Sequence, residues 1–377
     1  MKDKPIAGLD RCRELLRRHR SGFAAAALAF AVTGCATGAE ALGGPSLRWT
    51  MEDATVFPAD RSLTHAEDGV VLPDGRLLVG DWLHGLVALS PNGTKRPFGD
   101  FAAAGFKTKP APDWGSPNGI SFEPDQRHVL VADITTGAIY RVDTETETVR
   151  RLYDHPYGVN AAVRDSTGAI WFTQSTQNPE GEGSEARMFA AVEGIGDGAV
   201  YRIAPGETGN ARPFATRVVD GLDFANGIAV DERRGRLYVN EVAGNRVLSF
   251  PVDLVSGKLG TKTVFANIVS PDNVELDEHG HLWIASPLGN EVVVIDPDTG
   301  VVTPVFQPSP EAGAAMKAEM SRRMETGESI LALLSPSVWG PMPGLVTGVI
   351  LSPGKGPVYV TGLGGALIRL DRRSGED

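Results

Sequence analysis

Cysteine is scarce in this chain of 377 residues, and Cys12 and Cys35 are the only two. Two cysteines exclude a disulfide framework and a metal site with several thiolate ligands. Basic residues are also in deficit, because 36 Lys and Arg stand against 47 Asp and Glu and give a net charge of −11. Nucleic acid phosphates bind to clustered Lys and Arg, so we expect no nucleic acid partner.

Long apolar runs are missing too. The apolar stretch at residues 22–32 has 11 residues, whereas a membrane-spanning helix needs about 20. It follows a basic segment, which is the layout of a secretory signal. The sequence Val-Thr-Gly-Cys at residues 32–35 resembles the lipobox of bacterial lipoproteins, in which the cysteine is acylated and becomes the first mature residue. We therefore expect a lipoprotein signal peptide at residues 1–34, a lipidated Cys35, and a tether at residues 35–46.

The lipobox resemblance implies export in a bacterium. Ala36 after the cysteine resembles the outer-membrane sorting pattern, so we expect the protein to face the periplasm and to contact the membrane only through its lipid anchor. The alternative is a soluble secreted protein cut near Ala36 or Ala39, in which Cys35 has no role. The sequence leaves the oligomeric state open.

Glycine and proline are abundant, with 45 and 26 residues, which indicates many tight turns. One pattern recurs six times: a polar residue, an alternating strand, a turn with Gly or Asp, and a second apolar strand 9 to 11 residues after the polar one. We call the polar residues the strand heads; they are Glu67, Asn118, Asn160, Asn226, the pair Asp272 and Asn273, and Thr347. Third and fourth strands follow. The pattern predicts an all-β fold, a six-bladed β-propeller with four antiparallel strands per blade, over residues 47–377.

Three segments depart from the repeat. Residues 175–197 form a polar, Gly-rich insertion, whereas residues 308–340 contain a predicted helix at residues 311–334, between blades 5 and 6. The helix either closes over the site as a lid or packs on the rim of the propeller. The last repeat has only three strands, so we expect residues 47–57 to supply the fourth and to cover the open edge.

The heads carry the chemical prediction. Inner strands of a propeller begin at the same end of the central channel, so the heads should converge there. All are oxygen donors, and Ca²⁺ takes about six to eight oxygen ligands. With no Cys or His among the heads, Zn²⁺ or copper would be poorly served. Glu67 and Asp272 would balance the charge of one Ca²⁺. Alternatively, Asn before Gly, as in Asn118–Gly119, is a common turn dipeptide.

Several other polar residues are weaker candidates. Three carboxylates end second strands on the face of the heads and are expected to be supporting or surface residues: Asp81, Asp133 and Glu241. His65 lies two residues before Glu67 and is expected to serve a turn, although it could reach the mouth of the channel. His279 and His281 are expected to be exposed to solvent in a hairpin turn.

Three segments resemble the calcium-dependent six-bladed propeller hydrolases, which are the gluconolactonase and senescence-marker-protein (regucalcin) group with its paraoxonase and strictosidine-synthase-like branches. They are Ala-Glu-Asp-Gly-Val-Val-Leu-Pro-Asp-Gly at residues 66–75, Phe-Ala-Asn-Gly-Ile at residues 224–228, and Pro-Asp-Asn-Val at residues 271–274. The resemblance covers residues 60–371. It implies a calcium shell made of Glu67, Asn160, Asn226, Asp272 and Asn273.

Two positions depart from the paraoxonase pattern. A histidine that paraoxonases carry at the second head is Asn118 here, so a histidine pair is not expected and Asn118 would orient substrate or water. Paraoxonases hold a second, structural calcium with two aspartates. Asp68 matches the first, but Ala161 replaces the second, so we expect no second ion.

The resemblance implies a calcium-dependent hydrolase of lactones or related esters, with a small-molecule substrate. Asp272, or alternatively Glu67, would accept the proton of the attacking water. Two alternatives remain at this point: a non-enzymatic propeller that calcium only stabilises, and a metal-free enzyme of the strictosidine-synthase-like kind.

Overall fold

The computed structural model describes residues 48–178, 181, 183–207, 213–334 and 340–372. The expected signal peptide, tether and lipidated Cys35 lie outside these residues, so export and lipid anchoring stay predictions. Among the described residues, no helix has the length and apolar character to cross a membrane.

Six antiparallel sheets form a six-bladed β-propeller, which confirms the predicted fold. Blade 1 contains β2 (Gly69–Val71), β3 (Leu77–Asp81), β4 (Gly85–Leu89) and β5 (Lys95–Pro97). Blade 2 contains β6 (Pro117–Phe122), β7 (His128–Asp133), β8 (Ala138–Asp143) and β9 (Val149–Asp154). Blade 3 contains β10 (Ala162–Arg164), β11 (Ile170–Gln174), β12 (Gly198–Ile203) and β13 (Ala215–Leu222).

The second half of the ring repeats this order. Blade 4 contains β14 (Ala225–Asp231), β15 (Arg236–Glu241), β16 (Arg246–Asp253) and β18 (Thr263–Asn267), and the two-residue β17 (Lys258–Leu259) also pairs with β16. Blade 5 contains β19 (Val274–Leu276), β20 (Leu282–Ser286), β21 (Glu291–Ile295) and β22 (Val302–Phe306). Blade 6 contains β23 (Val346–Leu351), β24 (Val358–Gly362), β25 (Leu367–Leu370) and, from the start of the chain, β1 (Ala54–Phe57).

The hydrophobic core lies between the blades. Second strands contain apolar runs that point to both faces, because both of their faces are buried. On β7, Val129 and Val131 pack among blade 1 residues, while Leu130 and Ala132 pack among blade 3 residues. The same arrangement gives one apolar cluster at each of the six blade boundaries. Each boundary therefore orients two neighbouring inner strands relative to the channel axis.

Asp side chains fix the turns that follow two inner strands. Asp165 accepts hydrogen bonds from the backbone of Thr167 and from the indole of Trp171 at 2.8 Å. In blade 5, Asp277 accepts hydrogen bonds from the indole of Trp283 and from His281 Nδ1 at 2.9 Å. The expectation that His281 is exposed is therefore wrong, because this aspartate holds it in a buried position, whereas His279 is exposed as expected.

The predicted closing segment divides between two blades. β1 pairs with β25 in antiparallel register, with Val56 opposite Ile368. Trp49, however, forms a parallel bridge to Phe306 of blade 5. Closure by the N-terminal segment is therefore confirmed for Ala54–Phe57, and the prediction is wrong for residues 48–53, where Trp49 fills the boundary between blades 5 and 6 instead.

We expect Phe57→Ala to lower the free energy of unfolding by about 3 kcal/mol, because it removes a large buried side chain from the closing strand. The Phe57 ring lies 5.9 Å from that of Tyr359 and is only 8% exposed. Urea denaturation measures the change. Phe214→Ala is the matched control, since Phe214 is 69% exposed and its loss should cost under about 0.5 kcal/mol. Equal effects of the two substitutions would contradict a closing role for β1.

Both insertions lie at the end of the channel where the inner strands begin. Helix α1 (Ser184–Ala191) interrupts the connection between β11 and β12, and helix α2 (Pro310–Thr326) precedes blade 6. The predicted single helix at residues 311–334 is divided, because Gly327 adopts a left-handed conformation with φ 69° and ends α2. A 3₁₀ helix, Leu331–Leu334, follows. We call α1, α2 and this 3₁₀ helix the cap.

The cap packs on blades 3, 4 and 5. Met316, Met320 and Leu333 of the cap, together with Ile330 just before the 3₁₀ helix, are buried against four residues from the loops at this end of the propeller: Val192, Phe224, Val242 and Leu288. Met324, near the end of α2, is 54% exposed. The cap therefore covers part of the face that carries the heads.

Candidate metal centre

The heads of neighbouring blades are joined by hydrogen bonds around the channel. Gly119 N donates to Asn160 O at 2.8 Å, and Gly227 N donates to Asp272 O at 3.2 Å. Asn273 N donates to Thr347 O at 3.1 Å, and the Thr347 hydroxyl donates to Glu67 O at 3.2 Å. Between blades 3 and 4, Thr173 Oγ1 donates to Asn226 O at 2.6 Å. Between blades 1 and 2, Ile120 N donates to Asp68 Oδ2 at 2.8 Å. The strands that carry the six heads are therefore joined in one closed ring, although the first and last heads, Glu67 and Thr347, are 280 residues apart in the chain.

The Asn–Gly pairs do not form turns. Asn118 and Asn226 lie within strands β6 and β14. A Cβ atom on Gly227 would lie 2.6 Å from Asp272 O, and one on Gly119 would lie 2.7 Å from Ala161 Cα. Glycine is needed here because adjacent inner strands approach closely. The turn interpretation of these dipeptides is therefore wrong.

Four of the predicted ligands share one property. Each has a buried side-chain oxygen that accepts no hydrogen bond from the described residues: Glu67 Oε2, Asn160 Oδ1, Asn226 Oδ1 and Asp272 Oδ1. The four residues are between 1% and 8% exposed. A buried acceptor without a donor costs about 1–3 kcal/mol. A hard cation coordinated by these oxygens would remove that cost.

Neighbouring groups hold these side chains in place. The Asn160 amide donates to Ser175 Oγ at 3.0 Å, which leaves the amide oxygen as the unpaired atom. Asn226 hydrogen-bonds the carboxylate of Asp272. Asn273 Nδ2 donates to Glu67 Oε1 at 3.2 Å, so the amide of Asn273 orients this carboxylate.

The acidic groups of the site repel one another. Burial raises the pKa of Glu67 well above its usual value, and the charges of Asp272 and Asp68 raise it further. Burial likewise raises the pKa of Asp272, although the hydrogen bond from Asn226 offsets part of this. Burial raises the pKa of Asp68 to about 7, against backbone hydrogen bonds from Ile120 and Gly69. A divalent cation would reverse these shifts by stabilising the ionised forms.

Asn118 differs from the four acceptors. It is buried, and its Nδ2 donates to Asn160 O at 3.3 Å. Asn118 therefore braces the neighbouring head, and its position on the ring is compatible with the predicted role of orienting substrate or water. The assignments of functional roles to the heads stay predictions, both for Asn118 and Asn273 and for Glu67, Asn160, Asn226 and Asp272.

The three carboxylates that end second strands are fully buried braces. Asp81 Oδ1 accepts the backbone N–H groups of Leu83 and His84. Asp133 and Glu241 likewise accept backbone N–H groups of the loops at the mouth, from Ser116, Thr135, Thr136 and Asp223. The surface interpretation is wrong for all three, and the turn residues that follow Asp133, Thr-Thr-Gly, could have indicated an Asx turn.

His65 is part of the site rather than of a simple turn. Its imidazole is 8% exposed, stacks on Trp82 with ring centroids 4.6 Å apart, and lies 3.3 Å from Ser116 Oγ through Nε2. Burial lowers the pKa of His65 to about 4, so the ring is neutral at pH 7. His65 therefore lines the mouth of the channel. In the sequence, its position two residues before Glu67 indicated that it could do so.

The channel continues below the heads. A space of about 40 Å³ is lined by Asp68 and Glu275, and it lies next to a cavity of about 1260 Å³ at the opposite end of the propeller. Glu275 lines both spaces. The ring of heads therefore lies along a channel that widens away from the cap.

Within the part of the chain that the structure describes, one group of three acidic and histidine side chains comes within 4.8 Å: Glu123, Asp125 and His128. It lies at the turn between β6 and β7, at the end of blade 2 opposite the head. The carboxylate of Glu123 already accepts from Arg141 at 2.7 Å and pairs with Arg164 at 3.0 Å. Two guanidinium groups disfavour a cation there.

Comparison with known proteins agrees with the propeller fold and finds a family region in the middle of the chain. Residues 153–312 match the SMP-30/Gluconolactonase/LRE-like region. The protein STRICTOSIDINE SYNTHASE-LIKE 13 of Arabidopsis thaliana is 26% identical over 179 residues, which cover 45% of this chain and 41% of the plant protein. The pentonolactonase XacC of Haloferax volcanii is 25% identical over 206 residues, which cover 48% of this chain and 69% of that protein. The chain thus spans about four-tenths of the plant relative.

Solved structures share the fold. A gluconolactonase from Xanthomonas campestris superimposes with a TM-score of 0.57 at 19% identity, covering 90% of this chain and 99% of that one. A calcium-binding regucalcin from Agrobacterium tumefaciens gives a TM-score of 0.51 at 17% identity, covering 86% and 93%. The chain is therefore a six-bladed propeller in which residues 153–312 match the SMP-30/Gluconolactonase/LRE-like region. The predicted resemblance to the gluconolactonase and regucalcin group is confirmed for that region, whereas calcium dependence stays a prediction.

Proposed function

We propose that this protein is a calcium-dependent hydrolase of lactones or related esters. The observation that carries the proposal is the set of four unpaired, buried oxygens on Glu67, Asn160, Asn226 and Asp272. Two carboxylates match the charge of a divalent cation, and two neutral amides add ligands without adding repulsion. The relationship to a pentonolactonase supports the substrate class, and the shared fold with a calcium-binding regucalcin supports the metal.

When bound, Ca²⁺ would supply a Lewis acid and a template for a carbonyl substrate. The residues of this chain perform the remaining tasks. Asp272 accepts the proton of the attacking water, with Glu67 as the alternative base. The amide of Asn118 donates a hydrogen bond that orients the substrate or the water. The cap excludes bulk water from part of the site, which strengthens the polar interactions inside it.

A panel of substrates tests the proposal. The purified protein is assayed with a pentonolactone, a gluconolactone, an aryl ester and a phosphotriester, each in calcium and in chelator. We expect hydrolysis of at least one lactone or ester in calcium, its loss in chelator, and its recovery when calcium is restored, because the four oxygens supply the ion site. Unchanged hydrolysis in chelator would contradict the metal-dependent mechanism and favour a metal-free enzyme. Calcium binding without turnover of any substrate would instead favour a binding propeller.

A further inference from the structure

Two indole rings line the mouth of the channel beside blades 1 and 2. Trp82 lies in the loop after β3, and Trp114 lies in the connection to β6, with ring centroids 5.6 Å apart and planes at 80°. Both tryptophans are partly exposed, and Leu83, next to Trp82, is 57% exposed. We call Trp82, Leu83 and Trp114 the aromatic wall. The cap covers blades 3, 4 and 5, so the aromatic wall lies on the side of the mouth that the cap leaves open.

Hydrogen bonds tie the aromatic wall to the ring of heads. Trp82 Nε1 donates to Ser116 Oγ at 3.0 Å, and the same hydroxyl lies 3.3 Å from His65 Nε2. Ser116 is two residues from Asn118, and His65 is two residues from Glu67. The wall therefore adjoins the candidate metal centre.

The wall is held from several sides. Trp82 N donates to Thr64 Oγ1 at 3.3 Å, and Trp114 O accepts from Thr135 Oγ1 at 2.7 Å. The Lys109 ammonium lies 4.0 Å from the ring centroid of Trp114 and 5.0 Å from that of Trp82, so a cation–π contact fixes the two rings together. A surface ordered before binding loses little entropy when a ligand docks on it.

Its chemistry favours an apolar ligand. The indole N–H of Trp82 and the Nε2 of His65 are both engaged by Ser116, so they have little capacity left for substrate hydroxyl groups. The remaining surface is indole, the Leu83 side chain and Lys109, whose ammonium is already engaged by both indole rings. The indole and Leu83 surfaces gain free energy by burying aryl or alkyl groups. A polyhydroxylated substituent would lose hydration there, and of the two indole N–H groups only that of Trp114 is left to donate a hydrogen bond to it.

We propose that the aromatic wall of Trp82, Leu83 and Trp114 is the subsite that binds the substituent of the substrate, and that it selects lactones or esters carrying an aryl or alkyl group over polyhydroxylated ones. The wall acts on binding and takes no part in bond cleavage. The assignment of the reaction rests on the proposed function, whereas the affinity of the wall for an apolar group does not.

Matched substrates test the subsite. γ-Butyrolactone and γ-phenyl-γ-butyrolactone differ only in the phenyl group, and glucono-δ-lactone supplies the polyhydroxylated case. We expect the wild type to have the highest kcat/KM for the phenyl lactone. Trp114→Ala should lower that value about tenfold through KM, equivalent to about 1.4 kcal/mol, and should change the value for γ-butyrolactone by less than about twofold. Phe214→Ala, which removes an exposed aromatic ring from blade 3, should leave both values unchanged.

Other outcomes overturn the subsite. A preference for gluconolactone, or an equal loss with all three substrates in Trp114→Ala, would reject it. If no lactone is hydrolysed, calorimetry with 5-phenyl-2-pyrrolidinone, the lactam that cannot turn over under these conditions, decides the question. Binding that Trp114→Ala weakens about tenfold would keep the subsite and reject only the hydrolase. Absence of binding, or equal binding by both proteins, would reject the subsite.

Discussion

Asp272→Asn and Glu67→Gln are each expected to lower kcat/KM for the best lactone or ester by roughly 10³-fold or more, because removal of one preorganised electrostatic partner costs about 10²–10³-fold and Asp272 is also the proposed base. Each substitution keeps the shape of the side chain and removes one negative charge. Asp272 is buried beside Asn226, and Glu67 accepts from Asn273 at 3.2 Å. Steady-state kinetics at the calcium concentration that saturates the wild type measure the loss, and titration calorimetry measures calcium affinity.

The response of each variant's activity to added calcium separates two roles of these carboxylates. If high calcium restores the rate of Glu67→Gln but not that of Asp272→Asn, Glu67 serves metal affinity and Asp272 serves proton transfer. Asp125→Asn is the control, since Asp125 is exposed and belongs to the acidic group at the turn between β6 and β7. It should retain activity within about twofold, as expected for a surface substitution. Wild-type activity in both site variants would reject the centre.

The second large effect concerns stability and pH. Free calcium at a thousandfold above its Kd should stabilise the protein by about 4 kcal/mol. Without metal, the raised pKa values of Glu67, Asp272 and Asp68 mean that the folded state holds protons that the unfolded chain releases. Their stabilising contribution is complete below about pH 4 and is lost as pH rises through the folded pKa values, about 7 for Asp68.

The effect of these carboxylates on stability is best measured between about pH 6.5 and 8. Below this window, the lowered pKa values of His65 and His155 act in the opposite direction, because these rings are protonated in the unfolded chain first. We expect the Tm of the chelator-treated protein to fall across this window, and the increase in Tm that calcium produces to grow. Differential scanning calorimetry with matched buffers measures both quantities.

The variant Asp68→Asn tests whether the buried carboxylates cause the fall of Tm with pH. It removes the group with the pKa of about 7, so it should flatten the fall of Tm with pH in chelator. A Tm in chelator that is constant or rises from about pH 6.5 to 8 would show that these carboxylates do not titrate as described.

The repeated pattern made the propeller predictable. A strand buried on both faces needs an unbroken apolar run, and β7 and β11 show this directly in the sequence. The spacing from head to second strand reflects the length of an inner strand plus its turn, so it also located the heads. Equivalent positions of the repeats share one end of the channel. The repeat alone was therefore enough to predict that Glu67 and Asp272 belong to one site.

Other features depend on contacts between distant segments. The sequence shows Asp133 and Glu241 as acidic residues at strand ends, but their full burial follows from backbone N–H groups of loops that fold back over them. Likewise, the Ser116 hydroxyl links Trp82 with His65, and no local period predicts such a link. Contacts between distant segments also decide that Ala54–Phe57 pairs with blade 6 while Trp49 bridges to blade 5.

The amino-acid sequence by itself determined the six blades, the helical insertion and the identity of the oxygen-bearing heads, because strand length, apolar patterning and turn residues are local properties that recur with the repeat. Only the tertiary structure decided which head oxygens lack a donor and which head amides brace their neighbours. It also decided that the wall beside the heads is aromatic. Those outcomes depend on side-chain orientation across blade boundaries, which is set by packing between residues far apart in the chain.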